Sequence, residues 1–423
     1  MTLSFFSHIK TSNLLRSGIL MSGFGVLGGI LGYVFQVLMG RLLSFKEFAL
    51  FGAIMGASMF AMAPMGALMM LVSKKVATLV ALKRQDSLRS VYQQTCFFLF
   101  RASLVLLFFI FLGYQELQLF FKIEGPWPLV FVISVVLLAG MQTVNNAFFQ
   151  GQEKFNHLGF FGLTGIALKI ALCVLFISLG FELYGVLSGV LISTALVWFF
   201  GVLSIRRSFV GSEHSNDTFF DHGDRFKIVL PTLVANIAFV AMTQLDIVLV
   251  NYYFEPSLAA EYAAASVLGK AVLYLPWGLV MALFPMVTQQ HATSRSSSHL
   301  LVQAASATFL LCSAAAVFYW LWGPFIVNLF YGDKFVHAGD LLGMYGFAIL
   351  PMALVMVAEH FLIAKGRVLF AWLFFLIAPV QLLAIHLYHP DLESVIAMIG
   401  AGGGLLCLTG YCILLGEYFR GRS

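Results

Sequence analysis

Leu14–Met39 reads LLRSGILMSGFGVLGGILGYVFQVLM, and after Arg16 no charge follows before Arg41. About 20 apolar residues suffice to cross a hydrocarbon core of roughly 30 Å, so this stretch crosses a bilayer. Stretches of the same kind recur to the end of the chain. The charged residues, 10% of 423, fall almost entirely between them. With 61% hydrophobic residues and a mean hydropathy of +0.94, no water-soluble fold is open to the chain. Backbone groups in lipid must be satisfied within their own segment, so the spans are helices. Strands of a lipid-facing barrel would alternate polar and apolar residues, and these blocks do not. The fold class is all-α, a polytopic membrane protein.

Outward from the first block, twelve spans are expected: Ser17–Gly40, Phe48–Val72, Val91–Gly113, Pro128–Phe149, Leu158–Leu179, Tyr184–Ile205, Lys227–Phe254, Leu258–Gln289, Leu300–Trp322, Ala338–Ala364, Val368–Leu387 and Ser394–Tyr418. The first is too long for the apolar region of a cleaved signal and reads as an anchor. The longest polar stretch, Arg206–Lys227, is a loop, which leaves no soluble domain. It divides the chain into a six-helix lobe over 1–205, a linker over 206–226 and a second six-helix lobe over 227–423. Lys and Arg crowd one set of alternate loops, while the other set holds only Arg41, Lys46, Lys122 and Lys334. By the positive-inside rule both termini are cytoplasmic, which needs an even number of spans. Each half repeats a pattern near its second span: Glu47-Phe48-Ala49 then Pro64-Met65-Gly66, and Glu261-Tyr262-Ala263 then Pro276-Trp277-Gly278. Two parallel six-span halves are a transporter layout.

Ionisable residues inside spans are costly and point to function. At 1.5 Å per residue, Arg101, Lys169 and Lys270 lie about 15, 17 and 18 Å into their spans, near mid-bilayer. No acid is expected at matching depth. Facing a wet interior, three unmatched cations would attract an anion, and phosphate suits a guanidinium fork and two point charges. Arg16 adds a cation at the inner mouth, where it also serves as a positive-inside anchor. Gln142, Asn145 and Asn146 cluster toward the inner end of the fourth span, and Asn236 and Gln244 sit in the seventh. Amides suit sugar hydroxyls but equally join helices. Asp246, about 28 Å into its span, and Glu359 are the candidates for binding a coupling H⁺ or Na⁺. For Asp246 the competing reading, a pair with an outer-rim cation or a bond to a neighbouring helix, is the favoured one. His360 follows Glu359 at about 100° around the helix, so the two form no metal site by themselves.

The remaining features narrow the class. The cysteines, Cys96, Cys173, Cys312, Cys407 and Cys412, lie inside spans and form no CxxC pair. There is no GxSxG, HExxH, P-loop or dinucleotide fingerprint, so no enzyme, metal or cofactor is expected. Without a P-loop, energy must come from an ion gradient, the membrane potential or the substrate gradient. Pro64, Pro231, Pro276, Pro285, Pro351 and Pro379 bend spans or mark their ends. Gly25/Gly29, Gly28/Gly32 and Gly400/Gly404 permit close helix contact within one bundle, and a monomer is expected. Nothing suggests nucleic acid as a partner.

These residues come together as a resemblance. Gly40–Phe51, GRLLSFKEFALF, is similar to the R-L-L-G-x-x-E-F-G-x-Y stretch of the polysaccharide-transporter branch (O-antigen and capsule repeat-unit flippases) of the multidrug/oligosaccharidyl-lipid/polysaccharide exporter superfamily. Ala49 stands where that branch usually has Gly, and no Gly occurs at Leu43–Ser44. Gln150–Phe155, Pro231, Asp246-Ile247, Glu261-Tyr262, Phe284-Pro285, Tyr331–Phe335 and Ala364-Lys365-Gly366 fit in order. The resemblance implies two six-helix lobes around a central cavity. It also implies an undecaprenyl-pyrophosphate-linked oligosaccharide as substrate, moved from the cytoplasmic to the periplasmic leaflet of the bacterial inner membrane by alternating access, its tail left in the lipid. An ion-coupled multidrug extruder of the same superfamily is the alternative. It would favour cavity acids for cationic drugs, against which the mid-depth cations argue. Ser73–Ala77, SKKVA, lacks the loop motif of major-facilitator transporters, and the outer loops are too short for a polymerase or glycosyltransferase site.

Overall fold

The computed structural model describes residues 2–82, 84, 87–123, 125–206, 209, 226–277, 279–280, 287, 298–364 and 369–420; the side chains of 2–20, 22, 226–229, 232, 298, 363–364, 369 and 415–420 fall outside that description. Described residues outside short turns are helical, and eleven helices are long and apolar enough to cross a membrane. In chain order the helices are α1 (Thr2–Leu42), α2 (Phe45–Met62), α3 (Met65–Ala81), α4 (Ser87–Leu112), α5 (Tyr114–Phe121), α6 (Trp127–Gly151), α7 (Phe155–Ser178) and α8 (Glu182–Arg206). They continue with α9 (Phe226–Tyr253), α10 (Pro256–Gly269), α11 (Ala271–Tyr274), α12 (Ser298–Tyr331), α13 (Ala338–Ala364), α14 (Leu369–Leu387) and α15 (Leu392–Arg420).

Two expected spans are broken, both at proline. Phe48–Val72 divides into α2 and α3 around Ala63 and Pro64. Leu258–Gln289 is not one helix either: α10 stops at Gly269 and α11 is a single turn before Pro276. Pro276 has no N–H, so the Val272 carbonyl one turn earlier loses its helical donor. The Cys312 thiol on α12 takes that place at 3.4 Å. Phe284, Pro285, Lys365 and Gly366 lie outside the described residues.

The chain forms two compact units. The first holds residues 1–43 and 64–222, and the second holds 44–63 and 223–423. The grouping differs from a division at the Arg206–Lys227 loop by one helix, because α2 packs with the second unit. In the first unit α6 is the hub, flanked by α3, α4 and α8, while α7 joins α8 to α1. Val72, Val76, Tyr92, Val144, Phe148 and Ile205 are part of its core. Gly189 lets α7 and α8 meet closely, since a Cβ there would lie 2.7 Å from Cys173 Sγ.

In the second unit α9 packs against α2, α10 and α14, and α13 against α10, α12 and α15. Ser44 caps α2: its Oγ accepts from Glu47 N–H while Glu47 Oε2 accepts from Ser44 N–H. That reciprocal cap satisfies two backbone donors at the start of α2. Two of the motifs meet here. Phe48 lies 5.5 Å from the Phe335 ring and 6.2 Å from Tyr331. Between those two, Gly332 takes φ +71°, a left-handed turn suited to glycine. Glu261 Oε2 accepts from the Ala338 N–H at 2.8 Å, capping α13 from α10.

Candidate functional site

Arg101 and Lys169 both lie in the first unit. Arg101 is exposed on α4, its guanidinium carbon 4.2 Å from the centroid of Phe97 one turn earlier. Lys169 is half-buried on α7, its ammonium 4.2 Å from the centroid of Phe35 on α1. Among the described residues neither has a carboxylate partner. An aromatic face attracts a cation without neutralising it, so both charges remain available to an anion. Arg16 lies on α1, but its side chain is outside the described residues.

Lys270 differs from the expectation. It is not an unmatched cation: its Nζ sits 3.2 Å from Asp246 Oδ1, with both side chains buried. Counted by residues, Lys270 and Asp246 sit at different levels of their spans. A helical side chain leans toward the N-terminus of its helix, so the Lys270 stem covers the preceding turn. Tyr262, Ser266 and Lys270 recur at i, i+4 and i+8, which makes one stripe of α10. That stripe faces Asp246 on α9. Asp246 Oδ2 accepts from Tyr262 Oη at 2.9 Å, from Tyr345 Oη of α13 at 2.7 Å and from Ser266 Oγ at 3.5 Å. Ser266 also donates to Tyr345 Oη at 3.0 Å, and Lys270 to Gln244 Oε1 at 3.5 Å. Gly269 makes the approach of α13 possible, because a Cβ there would lie 2.5 Å from Tyr345 Cδ1. Asp246 is therefore satisfied as an anion by two tyrosine hydroxyls and an ammonium, with the single Ser266 proton closer to Tyr345 Oη.

Two of the amides act within the fold. Asn145 is fully buried. Its Oδ1 accepts from Tyr92 Oη at 2.8 Å, and its Nδ2 donates to the Trp198 carbonyl at 3.0 Å and to Gln142 Oε1 at 3.2 Å. Asn236 Nδ2 donates to the Ala63 carbonyl at the break after α2. Asn146, half-buried, accepts from Gln142 Nε2 at 3.1 Å and keeps its own amide nitrogen for other use.

Glu359, half-buried on α13, has no hydrogen bond or ion pair among the described residues. Its neighbour His360 bonds the Met356 carbonyl through Nδ1 at 2.9 Å and meets the Trp277 ring edge-on. Among the described residues no cluster could hold a metal ion. The first unit also carries two hollows. One of ≈ 470 Å³ lies between α7 and α8, lined by Phe160, Leu168, Leu196 and Phe200 among others. The other, ≈ 530 Å³, is lined in part by Ser73, Lys74, Gln150 and Glu153.

Tyr262, Ser266 and Tyr345 were not expected to act as a group. The i, i+4, i+8 stripe was visible, but nothing along the chain links it to Tyr345.

This fold is shared with known transporters. A multidrug resistance MATE family transporter of the MOP superfamily, inward-facing, superposes with a TM-score of 0.73 at 14% identity, covering 96% of this chain and 98% of that one. The lipid II flippase MurJ gives 0.70 at 16% identity over 93% and 87%. A MATE transporter of Vibrio cholerae gives 0.66 at 12% over 97% and 98%. No match was found among curated proteins. Residues 38–339 match the family described as "Polysaccharide biosynthesis protein", and the chain belongs to that family. It is a multi-pass membrane protein with the fold of the multidrug/oligosaccharidyl-lipid/polysaccharide exporters.

Proposed function

We propose that this protein is a flippase that moves an undecaprenyl-pyrophosphate-linked oligosaccharide repeat unit from the cytoplasmic to the periplasmic leaflet of the bacterial inner membrane by alternating access. The observation that carries the reading is the pair of in-span cations in the first unit, Arg101 and Lys169, each set against an aromatic ring with no carboxylate partner among the described residues. A pyrophosphate headgroup entering hydrocarbon needs such offsetting charge. Membership of the polysaccharide biosynthesis family supports a saccharide cargo. Lys270 leaves the set of headgroup ligands, since its charge is used by Asp246. Asn146 remains a candidate for sugar hydroxyls, and coupling to H⁺ or Na⁺ falls to Glu359. Both termini lie in the cytoplasm, and the working unit is a monomer.

The test replaces Arg101 and Lys169 together with Ala and follows surface polysaccharide in cells that depend on this protein. Loss of surface polysaccharide, with lipid-linked repeat units accumulating inside and the variant present in the membrane, is the expected result. Normal export would remove the assignment. Resistance of overproducing cells to cationic dyes would favour the multidrug extruder instead.

A further inference from the structure

We propose that Asp246, Gln244, Tyr262, Ser266 and Tyr345 form a monovalent-cation site in the second unit whose occupant is the chain's own Lys270 ammonium. Lys270 is 5% exposed and Asp246 1%, while Ser266, Tyr262 and Tyr345 are fully buried and Gln244 is nearly so. A lone carboxylate in such a place is very costly, and the surroundings are arranged to keep it charged. Both tyrosines donate to Oδ2 and the serine hydroxyl supports Tyr345, which leaves Oδ1 and the Gln244 carbonyl oxygen to face the Lys270 Nζ at 3.2 and 3.5 Å. The face of Tyr345, 6.0 Å from Nζ, adds a cation-attracting wall. Anionic and amide oxygens suit a small hard cation, and together with the aromatic face they suit an alkylammonium.

The occupant is tethered at a particular place. Lys270 stands at the junction where α10 ends and α11 begins, so its charge holds the break in the span to α9. Two carbonyls around the break are met by α12: Leu268 by Tyr319 Oη at 3.1 Å and Val272 by the Cys312 thiol. While the bridge stands, the site is closed to a free ion, so an ion taken up from solution during transport binds elsewhere. Nothing in this inference depends on the identity of the cargo.

Thermal unfolding of the purified full-length protein in detergent tests it. Lys270→Ala removes the tether and leaves the carboxylate. Its midpoint should fall below that of the parent and rise saturably by a few degrees with propylammonium or butylammonium chloride. The same salts should leave the parent and the Asp246→Asn/Lys270→Ala variant unchanged. A saturable response of Lys270→Ala to sodium or potassium chloride alone also supports the site, with a smaller occupant. No saturable response to any of these cations, or an equal response in the double variant, overturns the proposal. If Lys270→Ala cannot be recovered as a monodisperse protein, the amine is supplied during solubilisation. Recovery only with the amine supports the site, and recovery with neither overturns it.

Discussion

The ammonium of Lys169 lies 4.2 Å from the centroid of the Phe35 ring, so α7 presents its one charge to a face of α1 within the first unit. The ring lowers the cost of the charge in an apolar setting and leaves it uncompensated. Replacing Lys169 with Met keeps the length and removes the charge. Losing one charge-assisted contact to a phosphate is worth about 1.5–3 kcal/mol, so export should drop about tenfold or more. The amount of folded protein should stay close to that of the parent. Fluorescence-detected size exclusion measures the second quantity, and surface polysaccharide the first. A variant that loses both together would show Lys169 to be a packing residue.

The Asp246–Lys270 pair should behave in the opposite way. Breaking a buried pair from one side costs about 3–5 kcal/mol, because the remaining charge is left uncompensated. Asp246→Asn and Lys270→Met should each lower the unfolding midpoint strongly. The double variant Asp246→Asn/Lys270→Met should be more stable than either single one. If the two single losses simply add, the residues are not coupled.

Much of this architecture is legible in the residues themselves. The apolar blocks announce the helices, and the order of Glu47-Phe48, Asp246, Glu261-Tyr262 and Tyr331–Phe335 announces the family. What the sequence carries poorly is where a span breaks. Pro64 and Pro276 mark two breaks and Pro324 follows a kink at Trp322 in α12, yet Pro351 and Pro379 lie inside α13 and α14, where the helix continues. Pairing across helices is harder still. Lys270 reads as unmatched when depth is counted by residue, and it pairs with Asp246 because its stem leans back along α10. The amides show the same limit: composition makes Asn145 and Asn146 alike, but one is buried under Tyr92 and Trp198 and the other is not.

Gly269 offers a sharp steric check. A Cβ there would lie 2.5 Å from Tyr345 Cδ1, in a fully buried contact. Gly269→Ala must push α13 and the Tyr345 hydroxyl away from Asp246. Overpacking of this kind costs about 1–3 kcal/mol. Tyr345→Phe, which removes only the hydroxyl, should cost less. Removing the ring with Tyr345→Ala should partly relieve the Gly269→Ala defect in the double variant, as a change in unfolding midpoint.

Asn145 and Asn236 should prove structural. Tyr92→Phe strips Asn145 Oδ1 of its donor, and Asn145→Ala leaves the buried Tyr92 Oη without that acceptor. An unsatisfied buried polar group costs about 1–3 kcal/mol. Both variants should therefore lower the unfolding midpoint. Export per folded molecule should be unchanged and the range of sugars accepted should stay the same. Asn236→Ala should do likewise through the Ala63 carbonyl. Altered preference between repeat units at constant stability would return these amides to the binding site.

Glu359 is the acid to test for coupling, because Asp246 already has its full set of partners and Glu359 has none among the described residues. A carboxylate that binds and releases an ion during transport must not be locked by a permanent donor. Glu359→Gln keeps the shape and removes the charge. Export driven by an imposed pH or sodium gradient in vesicles should lose its dependence on that gradient. Downhill exchange of substrate between leaflets should persist, since the headgroup cations are untouched. The parent and the Glu359→Gln variant should unfold at similar temperatures, because the substitution breaks no hydrogen bond or ion pair among the described residues. A variant that keeps the full gradient dependence would place the coupling ion at another residue.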